Sequence, residues 1–502
     1  MSYVLTAPDL LVTAATNVDE IASTLRAANA AAAGPTCNLL AAAGDEVSAA
    51  TAALFSAYAR EYQAVVAQAA TFQSEFTRTL AAAGNAYAQA EAANAARVSS
   101  ALNAVNAPIQ TLLGRAPLST NGSSGAGGLT SLAKLAAAGQ VTALIMGGTG
   151  NPLPLPGYVT DINNAYIQTL FPGAVPQGLF TPEQFWPVTP QLGNLTFNQS
   201  VTQGVTLLSN AVSTELAAAN KVVAFGYSQS ATIVNNYINS LIAMGSPNPA
   251  DISFVMIGSG NNPVGGLLSR FPGFYIPFLD VPFNGATPAN TPYETHIYTA
   301  QYDGIAHAPQ YPLRILSDIN AFMGYFFVHN TYPDLMANEV ANAVLLPTSP
   351  GYAGNTQYYM FLTQDLPLLA PIHAIPYAGP PIASLFQPQL RVLVDLGYAD
   401  YGPGGNYADI PTPAGLFSIP NPFTVSYYLI KGSLQAPYGA AVEIGVQAGL
   451  VGPEWYPDTY PWVPSINPGL NLYFGQPQVT LLSLLSGGLG DILRLIPPPV
   501  FP

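Results

Sequence analysis

An apolar run, Val222-Val223-Ala224-Phe225, ends in Gly226-Tyr227-Ser228-Gln229-Ser230 and gives way at once to a helical pattern. That succession predicts a strand, a tight turn and a helix, with Ser228 at the tip of the turn. Backbone crowds such a turn, so only small residues fit beside the serine. The surrounding sequence repeats the theme. Residues 141–146 predict a strand entering the loop Gly147-Gly148-Thr149-Gly150. An amphipathic helix over 201–218 precedes the central strand, and a second helix follows from Gln229. Further strands are expected at 252–257 and 296–302, and a helix over 313–323. Strands alternating with helices imply a mostly parallel central sheet covered by helices, and the serine turn on that sheet makes it an α/β-hydrolase-type domain.

Gly-x-Ser-x-Gly is the usual form of a nucleophile elbow, and here Ser230 stands in place of the second glycine. The competing reading of Ser228 is a helix cap in an ordinary strand-to-helix turn. A serine hydroxyl becomes a useful nucleophile only beside a histidine base that a carboxylate orients. In this fold the chain order is serine, acid, histidine. Asp303, just past the strand at 296–302, and His329, in a loop after the following helix, satisfy that order. His307 and His373 are rival bases, His296 falls inside a strand, and Asp280 and Asp318 are weaker acid candidates. For a developing oxyanion, the Gln229 amide supplies one donor and the 147–150 loop, through Thr149, the other. A phosphate-binding reading of that loop lacks both the GxGxxG spacing and a GK[ST] ending.

Composition removes other classes of function. Twelve Lys and Arg against 26 Asp and Glu give a formal charge of −14, which repels phosphate backbones, so no nucleic-acid partner is expected. One cysteine and four scattered histidines, without HExxH spacing, give no expectation of a metal or other cofactor. The N-terminus lacks the basic and apolar regions of a Sec-type signal peptide, and no uninterrupted apolar run reaches about 18 residues, so no transmembrane segment is expected.

Four zones follow along the chain. Residues 1–95 are alanine-rich and predict an N-terminal α-helical hairpin. Its first helix starts at the capping box Thr6-Ala7-Pro8-Asp9, carries the stripe Val18, Ile21, Leu25 and Ala28, and ends at Gly34-Pro35. Its second runs from about Asn38 to past Glu91, with Tyr58, Tyr62, Val65, Ala69, Phe72 and Phe76 on one face. Residues 96–137 form a Gly/Ser-rich linker, 138–400 the hydrolase-type domain, and 401–502 a Pro-, Gly- and Tyr-rich extension with little periodicity.

The opening MSYVLTAPD, the GGTG loop, Gly226-Tyr227-Ser228-Gln229-Ser230, Gln301-Tyr302-Asp303-Gly304-Ile305-Ala306 and Val328-His329-Asn330-Thr331-Tyr332-Pro333 together carry a family resemblance. Residues 1 to about 93 resemble the PE domain of mycobacteria. Residues 140–400 resemble the PE-PPE domain, a serine α/β-hydrolase module related to cutinases. That family's elbow is GxSxS, so Ser230 fits it, and its triad carries over to Ser228, Asp303 and His329. The namesake Pro-Glu is Pro8-Asp9 here, and His307 stands where relatives often carry an acidic residue. The resemblance further implies that the hairpin pairs with a PPE-type protein and leaves through the type VII secretion machinery. Its YxxxD/E signal matches Tyr87 and Glu91, which implies a secreted protein of the cell wall or cell surface. The expected activity is hydrolysis of short- to medium-chain acyl esters or lipids. The alternatives are acyl transfer to a sugar hydroxyl, as in envelope glycolipid acyltransferases, and a non-catalytic surface interaction protein.

Overall fold

The computed structural model describes residues 8–46, part of 48–78, 139–472 and 479–499, which fall in two units, Met1–Ser124 and Gly125–Pro502. In the first unit, helix α1 spans Pro8–Cys37 and corrects the expected stop at Gly34-Pro35. Pro35 sits in the last turn, where its missing N–H removes a single helical bond. The Thr36 hydroxyl donates to Ala32 O at 2.6 Å. The second helix also departs from its expected start at Asn38, since helical residues begin at 46. Asp45 sets that start by accepting the Ser48 amide (2.9 Å) and hydroxyl (2.8 Å), satisfying orphan donors of the first turn. Helical residues continue to 78, and Gln63 Nε2 donates to Asn29 O at 3.4 Å across to α1. The capping residues Thr6 and Ala7, the side chains of both apolar stripes, Tyr87, Glu91 and the linker lie outside the described residues.

The second unit is built on a seven-stranded sheet. Its strands are β1 Val141–Ile145, β2 Val175–Gly178, β3 Lys221–Tyr227, β4 Ile252–Ile257, β5 Glu294–Ala300, β6 Val344–Leu345 and β7 Thr356–Phe361. They lie in the order β2-β1-β3-β4-β5-β7-β6, all parallel except β6. Both faces are covered, so the central strands are apolar on both sides. Leu144, Val222, Ala224, Phe254 and Met256 pack on one face against helices α2, Phe197–Ala217, and α3, Gln229–Ala243. Ala143, Ile145, Val223, Phe225, Val255 and Ile257 pack on the other, against a helical segment from Pro156 and against Val328 and Tyr332.

Helix α2 starts four residues before the expected 201, because Thr196 and Gln199 form a reciprocal capping box. Strand β5 ends at Ala300, which puts Asp303 in the turn beyond it. Helix α4 spans Ile315–Phe327, and α5, Gly379–Asp395, packs on it. The 401–502 segment is part of this unit. Its helix α6, Pro422–Gln447, lies along α5, and the Tyr460 hydroxyl donates to buried Asp395 at 2.7 Å. Internal Pro388 in α5 and Pro437 in α6 hid these helices from a sequence reading. A last helix, α7, covers Leu481–Leu493.

Candidate active site

Parallel register brings the C-terminal ends of β3, β4 and β5 to one edge. Tyr227 pairs with Ile257, and Ile257 with Tyr298. Ser228 follows β3 directly, with φ 55° and ψ −110°, a strained backbone held by its surroundings. A Cβ on Gly226 would meet Ser230 O at 2.6 Å, so this position requires glycine. Ser230 does more than fit a tight space. Its hydroxyl accepts the Tyr227 amide at 2.8 Å and donates to Tyr227 O at 3.1 Å, closing the turn.

At this edge the chain brings together three sequence-predicted side chains. The Ser228 hydroxyl donates to His329 Nε2 at 2.8 Å, across 101 residues of sequence. His329 Nδ1–H donates to the Asp303 carboxylate, 2.9 Å from Oδ1 and 2.8 Å from Oδ2. Asp303 is fully buried and His329 nearly so, while Ser228 is half-buried. Burial pushes the Asp303 carboxyl up, but the His329 ring, the Ile305 amide (2.8 Å) and the Tyr332 hydroxyl (2.7 Å) outweigh it and hold it below the usual range.

The rival residues are engaged elsewhere. His307 Nδ1 accepts the Tyr302 amide at 3.1 Å, and its ring stacks on Tyr398 at 4.7 Å. Burial, with Arg270 nearby, pushes it down to about 3, so it stays neutral. His296 lies 3.1 Å from Glu294, and His373 lies 3.7 Å from Asp365. Asp280 accepts the Thr196 and Tyr275 hydroxyls, and Asp318 lies on α4.

Thr149 and Gln229 meet across the loop and the start of α3. The Thr149 hydroxyl donates to Gln229 Oε1 at 2.8 Å, and Gln229 Nε2 donates to Gln184 O and Ser200 Oγ. The loop lies close against the elbow, since a Cβ on Gly148 would come within 2.8 Å of the Tyr227 ring. Gly150 donates to the carbonyl of Glu183, whose own buried carboxyl is lifted to about 8 by desolvation and so carries a proton at neutral pH.

Sequence reasoning missed an aromatic enclosure. Tyr332 bonds Asp303, Tyr227 donates to His329 O at 2.7 Å, and the Tyr325 ring stacks on His329 at 5.9 Å. Nothing in their spacing marks these tyrosines, apart from Tyr227 and Tyr332 lying next to motif residues. An apolar groove of about 370 Å³, lined by Leu267, Phe271, Phe274, Phe283, Leu485 and Leu489, lies nearby. Two hydrogen bonds link it to the site: Leu267 donates to Ile305 O, and Ile305 to Asp303. Among the described residues no three His, Cys, Asp or Glu side chains are placed to hold a metal ion.

The chain has close relatives among known proteins. The PE family matches residues 4–94, and the PE-PPE domain matches residues 172–399. The PE family protein PE3 of Mycobacterium tuberculosis is 55% identical over 501 residues, covering 99% of this chain and all of its own length. Esterase PE16 of the same organism is 41% identical over 84% of this chain and 73% of its own. The PPE family protein PPE28 is 43% identical over 61% of this chain and 47% of its own. Among solved structures, a cutinase-like protein from Cryptococcus sp. aligns over 34% of this chain and 80% of its own, at 19% identity. The TM-score of that alignment is 0.26.

Proposed function

From a chain that belongs to the PE family and carries a PE-PPE domain, we propose a serine esterase that cleaves short- to medium-chain acyl esters. The observation that carries this reading is the unbroken hydrogen-bond chain from the half-buried Ser228 hydroxyl through His329 to buried Asp303. The relative named Esterase PE16 supports the same reaction class.

In the proposed reaction His329 Nε2 takes the Ser228 proton as Oγ attacks the ester carbonyl, and Asp303 stabilises the imidazolium that forms. The tetrahedral oxyanion accepts hydrogen bonds from the Gln229 amide, at the start of α3 where the helix dipole is positive, and from the backbone amide of Thr149 in the 147–150 loop. Collapse expels the alcohol, which takes the proton from His329, and leaves an acyl group on Ser228. Water activated by His329 then releases the acid.

The N-terminal helices serve as a docking module for a PPE-type protein. Tyr87 and Glu91 serve as the signal for type VII export to the cell wall or surface. PE family membership supports these two assignments. The deciding experiment is labelling by a fluorophosphonate, with p-nitrophenyl butyrate turnover alongside. Native protein is labelled and active, and Ser228→Ala is neither, while its circular dichroism is unchanged. Equal labelling of both proteins would remove Ser228 from its role.

A further inference from the structure

Helix α4 is amphipathic in the inverted sense. Its buried positions are Ser317, Asn320, Ala321 and Gly324, all small or polar. Its exposed positions include Ile315, Ile319, Phe322 and Phe326, at helical steps of four, three and four, each between 47% and 69% exposed. The small inner residues let the helix lie flush on the domain, and a Cβ on Gly324 would collide with Tyr302 O. The first half of helix α5, packed beside α4, continues the pattern with buried Gly379, Ala383 and Ser384 and exposed Ile382, Leu385 and Phe386, while its second half buries Val392 and Val394. A water-facing helix inverted in this way forfeits apolar burial along its whole length, and contiguous apolar surface of this kind marks a binding face.

We propose that the exposed face of α4 and α5 docks this protein onto an acyl-lipid surface, with the mouth of the Ser228 site held at that interface. Charge favours lipid over a folded partner. A protein interface takes its register from a polar and charged rim. The only acidic or basic side chain of α4 is half-buried Asp318, and those of α5, Arg391 and Asp395, are buried and bonded inward. Small residues against the protein and large apolar residues outward is the arrangement of helices in a lipid environment. Thirteen residues make a helix of about 20 Å, too short to span a bilayer, so α4 lies along the surface. Its position fixes the geometry, since α4 ends at Phe327 and leads through its cap Val328 straight into His329, on whose ring Tyr325 stacks. The choice of an acyl-lipid phase rests on the esterase reading, because the ester substrate resides there.

The test uses the full chain and vesicles of neutral phosphatidylcholine, which remove electrostatic attraction. Native protein floats with the vesicles, and Ile319→Glu/Phe322→Glu loses at least tenfold in binding. The same double variant keeps p-nitrophenyl acetate turnover within twofold of native, but loses at least tenfold on an ester embedded in the vesicles. Ile319→Leu/Phe322→Trp, which keeps the face apolar, retains both. Ser228→Ala binds vesicles like native protein, so failure of the esterase reading and failure of the docking face give different results. Absence of native vesicle binding, or equal binding by the glutamate variant, overturns the proposal. So does a dimer that the glutamate pair dissolves without any vesicle binding, which would assign the face to a second copy.

Discussion

Replacing Tyr332 with Phe tests whether Asp303 is held from behind as the geometry requires. The Tyr332 hydroxyl is fully buried and makes two bonds, donating to Asp303 Oδ2 at 2.7 Å and accepting the Ala300 amide at 2.7 Å. Losing a bond to a charged group costs about 2 kcal/mol, and the stranded Ala300 amide adds about 1 kcal/mol. The variant should therefore be about 3 kcal/mol less stable at pH 7 by urea unfolding. The larger part depends on pH. Asp303 is held below its ordinary 3.8, so its interactions stabilise the fold fully above that value and are lost as pH falls through the lower folded value. Removing the hydroxyl brings the folded value nearer 3.8. The deficit should then shrink toward about 1 kcal/mol once the carboxyl is protonated in both proteins. Because Tyr332 acts through Asp303, kcat on a soluble ester should fall while KM holds. A variant within about 0.5 kcal/mol of native at pH 7, with unchanged kcat, would refute the anchoring role.

Replacing either His329 or Asp303 with Ala should lower ester turnover by about 10⁴-fold with little change in KM, measured by steady-state kinetics. His307 is held neutral by burial, with a folded value of about 3 against an ordinary 6.5. Its contribution is complete above 6.5 and fades as pH falls toward 3, so urea unfolding should show a loss on the order of 4 kcal/mol across that window. His307→Gln, whose amide oxygen still accepts the Tyr302 N–H, should flatten that slope and keep esterase activity; an unchanged slope would exonerate His307. Tyr87→Ala/Glu91→Ala should abolish export from a mycobacterial host, read by culture-filtrate immunoblot, while the purified protein keeps its activity. Undiminished export would show that the signal lies elsewhere.

What the sequence determined by itself was local. An apolar run ending in Gly226-Tyr227-Ser228-Gln229-Ser230, with small residues flanking the serine and a helical pattern after it, reads as a strand turning sharply into a helix, and the structure adds that Gly226 has no room for a Cβ and that Ser228 lies at positive φ. Alternating patterns between 141 and 323 likewise specified a helix-covered parallel sheet. Tertiary structure decided everything that depends on register and packing. Asp303 and His329 are 26 residues apart, and His307 is closer to Asp303 in sequence, yet His329 takes its Oδ atoms while His307 turns to Tyr302 and Tyr398. That choice is made by the parallel pairing of β3, β4 and β5 and by the length of α4, which no local pattern encodes. Proline inside α5 and α6 masked two helices whose formation rests on their packing against each other. The outward face of α4 was equally hidden. A hydrophobic stripe reads as core until the fold shows that Gly324 and Ser317, the residues small enough to lie against Tyr302 and α5, took the inside.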